Sequence, residues 1–137
     1  MRKFLFAAVL SILAAPSLAD TTLYDDLGGK SGVDKLVDAS VDNYLADPRI
    51  KDVFSESNID RIRAELKDQF CQLAGGPCLY KGHDMVAAHK GLHLTNANFN
   101  ALVEDLQDAM TKCDIPFATQ NRLLALLAPM QHQVVTR

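Results

Sequence analysis

A chain of 137 residues with 48% apolar and 23% charged residues has room for one domain with a core, and it lacks the bias of a disordered segment. The formal net charge is −3 and there is no basic block beyond Arg2 and Lys3. Nucleic acid is thereby excluded as a partner, because phosphate binding needs clustered Lys and Arg.

Residues 1–19 read as an export leader. Met1-Arg2-Lys3 is a short positive region, residues 4–15 are almost wholly apolar, and Ser17-Leu18-Ala19 sets small residues where a signal peptidase reads. Cleavage before Asp20 is expected, leaving a domain over 20–137. The apolar run is short for a membrane span. The mature domain is therefore expected in the periplasm or secreted, with no stable membrane insertion.

Helical periodicity dominates the rest. Val33, Leu36, Val37, Val41, Tyr44 and Leu45 form one stripe that ends at Asp47-Pro48, with Ser31 placed to cap it and Asp34 three residues on. A turn over 49–54 follows. Ile59, Ile62, Leu66, Phe70 and Leu73 repeat at helical steps, with Asn58 or Asp60 as cap and Gly75-Gly76 as stop. Residues 84–90 read as a short helix carrying Met85 and His89 on one face. Thr95 is placed to cap a helix through Phe99, Leu102, Val103, Leu106 and Met110. After the break at Ile115-Pro116, one last helix is expected over 119–135, with Leu123, Leu124, Leu127, Met130 and Val134 inward. No alternation supports a strand, so the fold class is all-α, with roughly five or six helices.

Cysteine usage agrees with export. Gly75, Gly76 and Pro77 lie between Cys71 and Cys78, and a tight turn there would bring the two Cβ atoms together. A Cys71–Cys78 disulfide is expected, worth less than the roughly 3 kcal/mol that loop-closure entropy gives a 15-residue loop. Cys113 is left over and reads as a small buried hydrophobe. No Cys-x-x-Cys-His motif indicates covalent c-type haem.

Neither zinc spacing nor a Gly-x-Ser-x-Gly motif occurs. The acidic pairs Asp25-Asp26 and Glu104-Asp105 read as solvated surface. Of the four histidines, His89 stands apart. It follows Val86, Ala87 and Ala88, whose small side chains leave room beside it for a flat ring system. A lone histidine on an apolar face is usually a satisfied core residue, and composition alone goes no further.

Order and spacing of short motifs go further. Leu23-Tyr24-Asp25-Asp26-Leu27-Gly28-Gly29 resembles the opening of group I truncated haemoglobins, as does Leu45-Ala46-Asp47-Pro48-Arg49-Ile50 through Phe54. The likeness continues at Gly75-Gly76-Pro77, Tyr80-Lys81-Gly82, Met85, Ala88-His89-Lys90-Gly91, Leu94-Thr95 and Phe99. It covers about residues 22–132, and Gly28-Gly29, Gly75-Gly76 and Gly82 stand at the family's glycine positions. The resemblance implies a two-over-two helical sandwich around haem b, with His89 as the proximal iron ligand. It puts Phe54 against the haem, Ile62 and Leu66 on the distal helix, and Phe70, Met85, Leu94 and Phe99 around the macrocycle, with Leu106 and the final helix on the far side. Tyr80 is placed to meet the propionates, whereas Lys81 and Lys90 read as solvated. His83, His93 and His132 read as surface residues.

The chain departs from the family pattern on the distal side. Aligned on Leu45-Ala46-Asp47, Val41 stands where many members carry a tyrosine, and Ile62 and Leu66 stand where a glutamine is common. The distal pocket of Val41, Ile62 and Leu66 is therefore expected to be apolar. A lost hydrogen bond to the partial charge of bound oxygen is worth about 1.5–3 kcal/mol, roughly tenfold to a hundredfold in dissociation.

Three readings remain open. The first is a reversible binder of oxygen, nitric oxide and carbon monoxide, served by a periplasmic reductant, with nitric oxide dioxygenase or weak peroxidase activity as attendant chemistry. The second is a haem carrier or buffer. The third is a haem-free helical interaction module.

Overall fold

The computed structural model describes residues 20–136. The expected leader over 1–19 lies outside them. Among the described residues there is no strand, and no helix is long and apolar enough to cross a membrane.

The first helix, α1 (Leu23–Asp26), is opened by a capping box in which Thr22 and Asp25 satisfy each other's backbone N–H. Gly28 then takes φ +93°, a conformation costly for any residue with a Cβ, and α2 (Gly29–Ala46) starts at once. Ser31 therefore lies inside α2 and is not its cap. Ending at Asp47, α2 gives way to a 3₁₀ turn over Lys51–Phe54.

The next helix, α3 (Ile59–Leu73), is capped by Asn58, whose side chain accepts from the Arg61 N–H. Gly75, at φ +84°, turns the chain out of it. The short α4 (Met85–His89) is capped by Asp84. Thr95 and Asn98 form a capping box at the start of α5 (Asn96–Lys112). The last expected helix is divided: α6 (Phe117–Leu127), a 3₁₀ turn over Ala128–Met130 and α7 (Gln131–Val134). Pro129 is the reason, since it has no N–H to continue the ladder.

The core lies where α2 crosses α5 and α3, with α6 against α5 and α1. The pairs α2–α3 and α5–α6 thus make two layers joined through α2 and α5. Leu36, Val37, Leu106, Met110 and Leu123 are fully buried there, each contributing about 1.5–3 kcal/mol of apolar transfer. By contrast α4 buries no residue and packs chiefly on α7.

A disulfide joins Cys71 on α3 to Cys78 in the loop that follows, with Cα atoms 5.7 Å apart. Cys113 is a free thiol, partly buried against the core.

Candidate functional site

A cavity of about 450 Å³ opens between the two layers. Its walls come from the end of α2, the 3₁₀ turn, α3, the loop into α4, and the inner faces of α5, α6 and α7. Phe54, Ile62, Leu66 and Phe70 line it. So do Met85, His89, Leu94 and Phe99, together with Leu106 and Tyr80. The wall is mostly hydrocarbon, so a flat apolar ligand would be held there by dispersion and water exclusion.

His89 is the one imidazole that α4 puts into the cavity wall. Its Nδ1–H donates to the Met85 carbonyl oxygen at 2.7 Å. A carbonyl can only accept, so Nδ1 carries a proton and Nε2 is the ring nitrogen left for a metal. A partner on one ring nitrogen that fixes the other as a ligand is the usual second sphere of a metal-binding imidazole. Opposite, the Gln69 Nε2–H donates to the Met85 sulfur at 3.4 Å and ties α3 to α4 across the cavity.

The distal side differs from the expectation. Val41 does not line the cavity; it is 1% exposed, inside the α2 core. Tyr44, three residues further along α2, lines it instead and stacks on Phe54 with ring centroids 6.0 Å apart and planes 7° from parallel. Burial pushes the Tyr44 phenol well above the ordinary tyrosine range; the Asp105 charge adds to this and the Ser40 hydroxyl opposes it. Tyr44 is thus a neutral O–H donor at any physiological pH. Ile62 and Leu66 do line the cavity, but Glu65 and Gln69 share that wall. The wall expected to be apolar around Val41, Ile62 and Leu66 is therefore a mixed one, with a hydroxyl, an amide and a carboxylate on it. Glu65 is held by Arg61 at 2.8 Å towards solvent.

His83 lines the mouth, with its backbone carbonyl accepting from the Tyr80 hydroxyl. His93 and His132 are exposed and away from the cavity, as are Lys81 and Lys90. His93 sits at φ +51° after Gly91, where the chain has left the α4 axis.

Asp105 also departs from its surface reading. Only 8% exposed, it has a carboxylate oxygen without a partner. Burial raises its pKa, the charge of Asp47 raises it further, and Arg49 opposes both. Among the described residues, no cluster of three His, Cys, Asp or Glu side chains could hold a metal by itself. A single imidazole beside a flat apolar slot instead suits a metal that arrives with most of its own ligands.

Comparison with known proteins supplies the kinship. The profile of the family described as "Bacterial-like globin" matches residues 22–136. A group 1 truncated hemoglobin of Tetrahymena pyriformis is 34% identical over 100 residues, covering 73% of this chain and 83% of that protein. One from Synechocystis sp. is 35% identical over 100 residues, covering 70% and 81%. The crystal structure of the Tetrahymena pyriformis protein in its Fe(III) form superposes with a TM-score of 0.82 at 29% identity, covering 85% of this chain and all of the other. Tyr44, Glu65 and Gln69 have the same spacing along the chain as the tyrosine and the two glutamines substituted in solved variants of that protein.

Proposed function

This chain belongs to the bacterial-like globin family with the truncated two-over-two fold, and from that premise we propose that it binds haem b through His89 and takes up small diatomic gases. The observation that carries this reading is the His89 ring, turned by the Met85 carbonyl so that Nε2 is the free ligand nitrogen, in the wall of a 450 Å³ cavity. The residues present fit the group: one imidazole with Nε2 left for a metal, the stacked Tyr44–Phe54 pair, and an apolar slot that also includes Tyr80 and His83.

When bound, haem supplies an iron with one coordination position open to oxygen, nitric oxide or carbon monoxide. The chain does the rest. Phe54, Leu66, Phe99 and Leu106 exclude water. The neutral Tyr44 hydroxyl and the Gln69 amide offer donors on the distal wall, which favours a ligand carrying partial negative charge on its outer atom.

The test is to reconstitute the chain from Asp20 with haem and record ferric, ferrous and carbon monoxide spectra, alongside His89→Ala. The expected result is stoichiometric uptake with a Soret band that shifts on reduction and on carbon monoxide, and loss of that behaviour in the variant. No stoichiometric uptake by the parent chain would overturn the reading. Export to the periplasm or beyond belongs to the same proposal, supported by the leader-like residues 1–19 and by a disulfide, which persists in oxidising compartments.

A further inference from the structure

The segment that carries His89 has little to hold it. No residue of α4 is buried, and its helix packing is chiefly on the four-residue α7. Besides the Gln69–Met85 contact, what ties it to α3 is the loop between them, and that loop is shortened by the Cys71–Cys78 disulfide. Cys71 is 2% exposed and follows the cavity residues Gln69 and Phe70 directly on α3.

From Cys78 a continuous series of bonds runs to the imidazole. The Tyr80 N–H, two residues on, donates to the Gln72 side chain at 2.6 Å. The Tyr80 hydroxyl donates to the His83 carbonyl, and its ring lies so close over Gly82 that a Cβ there would fall 2.4 Å from the hydroxyl oxygen. Asp84, the next residue, accepts from the Ala87 N–H at 2.8 Å and starts α4. The first residue of that helix, Met85, supplies the carbonyl that accepts from His89 Nδ1.

We propose that the Cys71–Cys78 disulfide is a positioning device for His89, setting the place of the imidazole relative to the distal helix and so governing how firmly haem is held. This rests on the haem-binding reading above. The disulfide does more than reduce the entropy of the unfolded chain. It removes about half the free length of the tether between the two walls, which would otherwise run from Ala74 to Asp84.

The experiment uses Cys78→Ala, which removes the partly exposed partner and leaves the Cys71 thiol as a small buried group. Two quantities are read. Haem transfer from the ferric holoprotein to an excess of haem-scavenging apoglobin should be about tenfold faster or more in the variant, the scale on which second-sphere partners act. That acceleration should vanish in His89→Gly protein loaded with haem in the presence of free imidazole, because a positioning effect needs the tethered side chain it positions. Amide hydrogen exchange of the haem-free protein should lose protection over 79–92 and keep it in α2, α5 and α6; dithiothreitol-reduced parent protein should show the same pattern. Equal transfer rates, a persisting effect in the imidazole-supplied His89→Gly background, or protection lost evenly across the chain would each overturn the proposal. If the parent protein takes up no haem, the functional reading fails by that result alone, and the exchange pattern still decides whether the disulfide orders α4.

Discussion

Tyr44→Phe removes a buried neutral donor at little steric cost. In the ferrous holoprotein, stopped-flow oxygen dissociation should accelerate by about tenfold to a hundredfold, with carbon monoxide dissociation changed much less. Equal rates would take Tyr44 out of ligand stabilisation. His89 was legible only through the family resemblance, because Met85 one turn before it and small side chains around it are equally the surroundings of an ordinary core histidine. Tyr44 was not legible: Val41 and Tyr44 both belong to the buried stripe of α2, and periodicity does not say which part of a stripe faces a cavity and which faces solid core. Asp105 was hidden for a different reason. Reading Glu104 and Asp105 as a pair overlooks that successive helix residues point about 100° apart, and Asp105 falls with Ala101 and Ala109 on the buried face. Its pKa is raised in the folded state, so between the unfolded value and that raised value the native state binds the extra proton, and stability falls as pH rises through the window. Asp105→Asn should therefore raise stability by about 1 kcal/mol at pH 7. That gain should shrink as pH drops towards the ordinary carboxylate value, measured by urea denaturation at pH 7 and pH 4.5. A gain independent of pH would contradict this account.

Two helix starts were legible from their caps: Asn58 and Thr95 accept from the backbone as their sequence positions suggest. The Thr22 box that opens α1 and the Asp84 cap of α4 were not read as caps. Where glycine does the work, the sign is weaker: the left-handed Gly28 starts α2 before the serine that looked like its cap. Thr95 caps the long helix that supplies the far wall of the cavity, and its box with Asn98 satisfies donors at both positions. Thr95→Ala should cost about 1 kcal/mol, seen as a lower urea midpoint at unchanged slope. An unchanged midpoint would mean that packing of α5, not its cap, fixes that end.

At the scale of the whole molecule, the all-helical class was readable from punctuation, since Gly75-Gly76 and the prolines at 48 and 116 divide apolar stripes of helical period, whereas the two-over-two arrangement was readable only through the family resemblance. What stayed unreadable was the division of the last helix, because Leu124, Leu127 and Met130 keep their inward period across the break at Pro129. Processing also belongs to this scale. Intact mass of the protein recovered from the periplasm or medium should correspond to a chain beginning at Asp20 with the two thiols of Cys71 and Cys78 oxidised. Recovery of the full-length chain from the cytoplasm would remove the export proposal.

The sparse anchoring of α4 has a consequence in time. Helices α2, α3, α5 and α6 bury one another directly, whereas α4 buries no residue and is held by the disulfide-shortened loop, the Gln69–Met85 contact and α7. It is therefore the segment expected to open first and most often while the core stays closed. Such an opening would admit a bulky flat molecule without dismantling the helices around it.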